Sequence, residues 1–375
     1  MGSNILPITM PKWGLAMKEG SIVKWNKEVG EEVKKGEALV EIETEKVVNE
    51  FESPENGTMI KKCIELDEKV PVGSLIAIYG DKETSDDEIN KFIIEFNENF
   101  ENSSEDSDIN ESATKKIKIE DLDINFFQIG DADKKNLLFI HGFGGDLNNW
   151  MFNQEELSKD FNTYSLDLPG HGSSSKDIKK EIEMSFFTNN IVKFCEQNDL
   201  KKINLVGHSF GAGISIDIAN QNKELVESLI LISPIGLGKE IDNSYLEGFV
   251  SADSRRDLKK VLEKLYFDSS IITRDLLNEV LKIKRFDGIS DALNLIKNVI
   301  LHNEVQKNDL RKDLENIKIP ISIIWGKDDN IIPNSHSSNL NGNIKVNIID
   351  DCGHMAHVEK SQEVNSLIKE IINWI

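Results

Sequence analysis

Cysteine and long apolar runs are scarce in this sequence of 375 residues, and each scarcity excludes a class of protein. Cys63, Cys195 and Cys352 are odd in number, lie far apart and show no CxxC spacing, which excludes a disulfide framework and a cysteine metal site. No segment approaches the roughly 18 apolar residues of a membrane span, and no basic, apolar leader begins the chain. We therefore predict a cytoplasmic protein with reduced thiols, no metal site and no membrane partner.

Positive charge is also scarce. The 44 Lys and Arg face 66 Asp and Glu, so the formal net charge is -22. Nucleic-acid binding needs clustered positive charge, so this composition argues against a nucleic-acid partner. The length predicts more than one globular unit, and 39% hydrophobic content is enough for a large core.

An internal repeat organises the first 80 residues, because Gly20–Ile42 can be laid over Gly57–Tyr79 without a gap. The identical pairs are Gly20 and Gly57, Lys24 and Lys61, Glu28 and Glu65, Glu31 and Glu68, Val33 and Val70, and Gly36 and Gly73. Each copy reads as short strands separated by glycine turns and is too small to bury its own apolar face. We predict that the two copies pack into one small all-β sandwich or flattened barrel, with residues 43–46 as an exposed turn.

Residues 1–80 resemble the lipoyl domains of 2-oxo-acid dehydrogenase complexes. The resemblance rests on the repeat, on Met10–Gly14 and on Glu43–Val47. It implies that a lipoylating enzyme attaches lipoate to Lys46. Biotin carriers place methionine on both sides of their lysine, whereas this lysine has Glu45 and Val47, so lipoate is favoured over biotin.

Residues 81–115 read as an acidic flexible linker, with twelve acids against two lysines and no proline or glycine from Asp81 to Thr114. An apolar cluster, however, lies within it, at Phe92, Ile93, Ile94, Phe96 and Phe100. We consider two hypotheses for this cluster: a docking helix for partner proteins, or packing against the chain's own C-terminal domain.

Beyond residue 116, apolar runs alternate with amphipathic stretches, which favours a mostly parallel sheet with helices on both faces. The strand candidates are Leu137–Ile140, Thr163–Leu166, Ile203–Val206, Leu229–Ile232, Ile321–Trp325 and Val346–Ile349. Helical patterns interrupt the alternation from about 235 to 316 and predict an inserted cap.

A nucleophile elbow is indicated where Gly207–Gly211 follows an apolar strand and precedes a helix. The glycines allow a sharp turn that exposes Ser209 at the sheet edge. An earlier strand is followed by His141–Gly145, whose glycines allow backbone N–H groups to converge. The expected oxyanion donors are the N–H groups of Phe143 and Phe210.

Two later strands supply the remaining members of a triad. The segment Trp325–Asp329 follows one strand, and Gly353-His354 follows the last. The order serine, acid, histidine is that of α/β hydrolases.

Together with Asp167–Ser173, these motifs resemble the α/β-hydrolase superfamily over residues 116–375. Within that resemblance, the spacing to Pro333 favours Asp329 over Asp328 as the acid. The implied catalytic residues are Ser209, Asp329 and His354.

A lipoyl domain joined to an α/β hydrolase resembles the E2 component of bacterial acetoin dehydrogenase complexes. This resemblance implies acetyl transfer from the lipoyl arm to coenzyme A. The implied partners are a thiamin-diphosphate-dependent E1 acetoin dehydrogenase and a dihydrolipoamide dehydrogenase, E3. The H-x-x-x-D-G signature of common E2 acyltransferases is absent, and no subunit-binding domain is recognisable.

Two other functions stay open on the sequence alone. One is a lipoyl-tethered thioesterase or other serine hydrolase, and the other is a carrier and scaffold with an inactive hydrolase domain. A basic cluster in the cap suits either the phosphates of coenzyme A or, more commonly, a solvated helix face. Its members are Arg255, Arg256, Lys259 and Lys260.

Overall fold

The computed structural model describes residues 5–11, 19–44, 47–81, 83–104, 114–178, 181–342 and 344–373. Its contacts divide the chain into two compact units, Met1–Ser112 and Ala113–Ile375.

The N-terminal unit is built from short antiparallel strands. In its described part these are β1 (Leu6–Thr9), β2 (Glu19–Trp25), β3 (Glu32–Val33), β4 (Ala38–Thr44), β5 (Val47–Glu52), β6 (Gly57–Lys62), β7 (Lys69–Pro71) and β8 (Leu75–Tyr79). They form two four-stranded sheets, in the orders β5-β4-β2-β7 and β1-β8-β6-β3. The predicted all-β carrier fold is confirmed.

The sequence repeat accounts for this pairing. Strands β2, β3 and β4 of the first copy correspond to β6, β7 and β8 of the second. Strand β3 pairs with β6 and β7 pairs with β2, so each copy contributes its short middle strand to the other copy's sheet. Ile22, Leu39, Ile42, Met59 and Ile76 are fully buried in the shared core. Neither copy could bury these side chains alone.

A helix, α1 (Asp86–Ser104), occupies much of the predicted flexible linker. Ser85 and Glu88 cap it reciprocally: the Glu88 carboxylate accepts from the Ser85 N–H at 3.1 Å, and the Ser85 hydroxyl oxygen accepts from the Glu88 N–H at 3.4 Å. The segment is therefore ordered structure from 86 to 104, because the cap and an apolar face outweigh the repulsion between its acids.

The apolar face of α1 packs on the N-terminal unit itself. Ile89 is buried with Leu75 and Ile78 of β8, and Phe92, Ile93 and Phe96 pack around them. The hypothesis that the cluster packs against the C-terminal domain is wrong, because its contacts lie within the unit that precedes it. The same contacts make the apolar face of α1 unavailable to a partner protein. On the outer side of the helix, Ile94 is 58% exposed.

One sheet dominates the C-terminal unit, in the order β18-β17-β14-β13-β11-β12-β10-β9. Its strands are β9 (Lys115–Ile119), β10 (Leu122–Ile129), β11 (Asn136–Ile140), β12 (Asn162–Leu166), β13 (Ile203–His208), β14 (Val226–Ile232), β17 (Ile321–Gly326) and β18 (Ile344–Ile349). From β12 to β18 every neighbouring pair is parallel, as predicted, and each of those six strands contains one of the predicted runs. The antiparallel strands β9 and β10 were not predicted.

Helices cover this sheet and form the cap. The flanking helices are α2 (Met151–Leu157), α3 (Met184–Gln197), α4 (Phe210–Gln221), α10 (Ala356–Glu359) and α11 (Ser361–Asn373). The region between β14 and β17 contains α5 (Asn243–Ser251), α6 (Arg255–Leu262), α7 (Arg274–Lys284), α8 (Ile289–Ile300), a small hairpin of β15 (Leu301–His302) and β16 (Val305–Gln306), and α9 (Arg311–Asn316). The predicted α/β-hydrolase fold with a helical insertion is confirmed.

Within the described residues, no helix is long and apolar enough to cross a membrane.

Candidate active site

Ser209 lies at a tight turn between β13 and α4. Its backbone angles are φ 51° and ψ -112°, a combination that L-residues rarely adopt and that costs about 1–3 kcal/mol. The turn requires glycine at position 211, because a Cβ on Gly211 would lie 2.3 Å from the Ile140 carbonyl oxygen. The Ser209 N–H donates to the Ile232 carbonyl at 2.9 Å, which fixes the turn to β14. The predicted elbow geometry at Ser209 is present.

Asp329 and His354 form a buried hydrogen-bonded pair. His354 Nδ1 lies 2.8 Å from Asp329 Oδ2, and the two side chains are 2% and 0% exposed. Asp329 Oδ1 accepts from the N–H groups of Ile331 and Ile332 at 2.8 and 3.0 Å, and Oδ2 also accepts from Trp325 Nε1 at 2.9 Å. These donors hold the carboxylate in one orientation towards the imidazole.

The same contacts set the ionisation of Asp329. Burial, the largest influence, would raise the pKa of this carboxyl. The charge and hydrogen bond of His354 and the two backbone N–H donors outweigh burial and leave the pKa lowered. Asp329 is therefore a carboxylate across the neutral range and can stabilise an imidazolium at His354.

His208 connects the nucleophile turn to the histidine loop. Its Nε2 lies 3.0 Å from the His354 carbonyl oxygen, and the two rings are 4.7 Å apart between centroids. Burial, followed by the charges of His357 and His354, lowers the pKa of His208 well below its usual value. A neutral His208 donates from Nε2 to that carbonyl and so positions His354. The sequence motifs alone do not indicate this positioning role of His208.

The segment His141–Gly145 lies directly over the elbow. A Cβ on Gly142 would lie 3.1 Å from Ser209 Cβ. Among the described residues, no protein acceptor is hydrogen-bonded to the N–H of Phe143 or Phe210. Both groups are therefore available to donate to an oxyanion.

The cap closes over this loop, and the sequence did not reveal which of its residues do so. A Cβ on Gly144 would lie 2.5 Å from the ring of Phe249, and the rings of Phe249 and Phe143 are 6.1 Å apart. The Tyr245 hydroxyl donates to the Phe143 carbonyl at 3.5 Å. Ser209 itself is only 8% exposed. His208, next to Ser209 in the chain, links the elbow to the His354 loop, and both Ser209 and His354 have little access to water; among the described residues no hydrogen bond joins Ser209 Oγ to His354 Nε2.

Lys46 lies outside the described residues. The neighbouring strands are described: Thr44 of β4 pairs with Val47 of β5, so the chain passes between these strands through residues 45 and 46 alone. Val48 is 49% exposed beside them. A lysine amine is the chemical group that an amide-linked lipoyl arm needs.

In the described part of the chain, no cluster of His, Cys, Asp or Glu could hold a metal ion.

Two protein-family models match the chain. One, described as alpha/beta hydrolase fold, matches residues 135–361, and the other, described as biotin-requiring enzyme, matches residues 6–78. The two matches correspond to the two units of the structure.

Known proteins match over the full chain or over the hydrolase unit alone. The dihydrolipoyllysine-residue acetyltransferase component of the acetoin cleaving system of Cupriavidus necator is 34% identical over 371 residues, which is 98% of this chain and 97% of that protein. The protein of the same description from Pseudomonas putida is 34% identical over 363 residues, 97% of each chain. A human monoacylglycerol lipase is 24% identical over 260 residues, which is 64% of this chain and 75% of the lipase.

Solved structures resemble the hydrolase unit. A meta-cleavage product hydrolase from Pseudomonas fluorescens has a TM-score of 0.64 at 20% identity and covers 70% of this chain and 99% of its own. A carboxylesterase from Bacillus subtilis has a TM-score of 0.61 at 18% identity and covers 69% and 90%. At these identities the likeness concerns the fold.

Proposed function

Since the chain belongs to the family of dihydrolipoyllysine-residue acetyltransferase components of acetoin-cleaving systems, we propose that Lys46 carries its lipoyl arm and that Ser209 passes the acetyl group to coenzyme A. Membership makes the protein the lipoyl-domain-containing E2 acetyltransferase of a multienzyme complex, as its sequence predicted. The observation that carries the proposal for the site is the buried pair of Asp329 and His354, next to a strained serine elbow.

Lys46 is the proposed attachment site because it lies between two strands that pair up to Thr44 and Val47. Lipoate bound there supplies a dithiol that holds an acetyl group as a thioester. A lipoylating enzyme and several active sites have to reach the modified lysine in turn.

The triad performs the transfer in two steps. His354 Nε2 takes the proton of Ser209 as its Oγ attacks the acetyl carbonyl carbon, and the N–H groups of Phe143 and Phe210 stabilise the oxyanion. The carbon–sulfur bond breaks, His354 returns the proton to the leaving thiol, and acetyl-Ser209 forms. The thiol of coenzyme A then attacks this ester, with His354 again taking the proton and returning it to Ser209 Oγ.

Exclusion of water favours transfer over hydrolysis. Water competes for any acyl-serine, and hydrolysis would discard the energy of the thioester. Phe249 of the cap is 3% exposed and its ring lies 6.1 Å from that of Phe143, and Phe143 and His354 are themselves only 7% and 2% exposed, so the reacting groups are largely covered. A thiol delivered by a bound acceptor can enter where bulk water is scarce.

The remaining partners follow from the family. We propose that a thiamin-diphosphate-dependent E1 acetylates the arm from acetoin and that a dihydrolipoamide dehydrogenase, E3, reoxidises it. A reducing cytoplasm suits the three free thiols, of which Cys195 and Cys352 are buried and Cys63 half-buried.

The identity of the product tests the proposal. Purified protein is given acetyl-dihydrolipoamide with and without coenzyme A, and the products are identified by mass spectrometry. We expect acetyl-CoA, formed only when coenzyme A is present, with little free acetate. Free acetate at the same rate in both mixtures would instead make the protein a lipoyl-tethered thioesterase.

Replacing Asp329 by asparagine is expected to lower kcat for acetyl transfer by about 10³–10⁴-fold. An amide cannot stabilise the imidazolium and favours the wrong tautomer of His354. Asp328→Asn is the matched control, because it removes the same charge one residue earlier from an exposed side chain and should keep near-normal activity. Equal losses in the two variants, with unchanged thermal unfolding, would contradict the assignment of Asp329.

A further inference from the structure

Helix α6 presents a concentrated positive charge. Within six consecutive positions it has four basic residues and one acid, Asp257, in a chain whose net charge is -22. Leu258 and Leu262 are buried against the core of the unit. The basic residues, which we call the basic face of α6, are exposed: Arg255, Arg256, Lys259 and Lys260.

Helix stability does not account for the two arginines. They occupy the first turn of α6, where the helix dipole favours anions and positive charge is unfavourable. Asp257 is engaged in the cap, where its carboxylate accepts from the Ser254 hydroxyl at 2.6 Å. Among the described residues, no ion pair involves Arg255 or Arg256. Within the same part of the chain, Lys259 has only a long contact of 4.0 Å with Glu263.

The end of α6 leads directly into the active site. The carbonyl of Leu265, three residues beyond the helix, accepts the N–H of His354 at 2.8 Å. Glu359 strengthens this junction, since its carboxylate accepts from the N–H groups of Phe267 and Gly353, both at 2.8 Å. At about 1.5 Å per helical residue up to Leu262 and at most about 3.6 Å for each of the three residues beyond it, Arg255 lies no more than roughly 21 Å from Leu265.

We propose that the basic face of α6 binds the phosphates of coenzyme A while the thiol of the same molecule reaches Ser209. This inference rests on the proposed function and assigns its acceptor site. Coenzyme A carries a diphosphate and a 3′-phosphate at the end opposite its thiol, so a long acceptor needs an anion site at a distance from the triad. Arginine matches phosphate with two parallel hydrogen bonds. An acidic chain otherwise repels a polyanion, so attraction has to be local.

A different occupant of the same surface is the acidic region around the lipoyl domain, which has twelve acids against two lysines from Asp81 to Thr114. Coenzyme A is favoured because the basic face is built on the segment that holds His354. The experiment distinguishes the two occupants by its choice of donor.

The test uses the double variant Arg255→Ala/Arg256→Ala with free acetyl-dihydrolipoamide as donor. The acceptors are coenzyme A and pantetheine, which has the same thiol arm without the nucleotide phosphates. We expect KM for coenzyme A to rise about tenfold or more, with kcat and both constants for pantetheine unchanged. Added salt should raise KM for coenzyme A in the unaltered protein and should have little effect on that KM in the double variant. Lys116→Ala/Lys118→Ala, which removes two exposed charges from β9, is the control.

The possible outcomes distinguish a coenzyme A site from a lipoyl-domain site. An unchanged KM for coenzyme A, or an equal rise for pantetheine, overturns the proposal. A defect that appears only when the acetyl group is presented on the protein's own lipoyl domain assigns the surface to that domain instead. If the unaltered protein forms no acetyl-CoA, the proposed function fails, and equilibrium dialysis of coenzyme A against both proteins still measures whether the arginines bind it.

Discussion

Replacing Ser209 by alanine is expected to lower the rate of acetyl-CoA formation from acetyl-dihydrolipoamide by up to about 10⁶-fold, the loss typical of a removed triad nucleophile. Without Oγ no acetyl-enzyme can form, and the oriented pair of His354 and Asp329 has no hydroxyl to deprotonate. Some residual transfer is expected, because the N–H groups of Phe143 and Phe210 can still stabilise an oxyanion formed by direct attack of a thiol.

Two measurements accompany this variant. Ser251→Ala, which removes an exposed hydroxyl from α5, should transfer at the normal rate. Incubation of the unaltered protein with donor alone should add one acetyl group to the peptide that contains Ser209. If Ser209→Ala transfers as fast as the unaltered protein, coenzyme A attacks the donor directly and the triad has another purpose.

Replacing Lys46 by arginine is expected to abolish acetoin-dependent acetyl-CoA formation by the assembled complex. Arginine keeps the positive charge but lacks the amine that forms an amide with lipoate. The mass increase on lipoylation should disappear as well. Transfer from free acetyl-dihydrolipoamide should stay normal, because that reaction uses only the hydrolase unit.

Lys35→Arg is the control for this change, since Lys35 is an exposed lysine of the same unit. It should be lipoylated and should support the full reaction. Lipoylation that persists in Lys46→Arg and disappears in another lysine variant would move the attachment site. The two predictions are independent, because one concerns loading of the carrier and the other the chemistry of release.

Local patterns were sufficient for most of the fold. The repeat predicted the two-copy barrel because the same spacing of glycines and apolar residues produces the same strands twice. The runs from Leu137 to Ile349 predicted the parallel strands, since strands buried on both faces are mostly apolar. The hairpin of β9 and β10 was missed because Lys115–Ile119 alternates charge with apolar residues at a sheet edge and has no long apolar run.

Helix α1 shows why composition alone misled. The acid count of 81–115 predicted an extended tether, but Ser85 and Glu88 form a capping box, and apolar residues recur at helical spacing from Ile89 to Phe100. Those local signals were present in the sequence. What they could not show was that β8 offers the surface that covers them.

By itself, the sequence determined the order of the chemical groups: a carrier lysine, then a serine, an acid and a histidine, each placed by a short motif. How those groups are held depends on the tertiary structure. The hydrogen bond from His208 to the His354 carbonyl, the contact of Phe249 with Gly144 and the junction between α6 and the His354 loop all join segments far apart in the chain. Such contacts depend on which surfaces meet when the cap packs on the sheet, and no spacing along the chain specifies that.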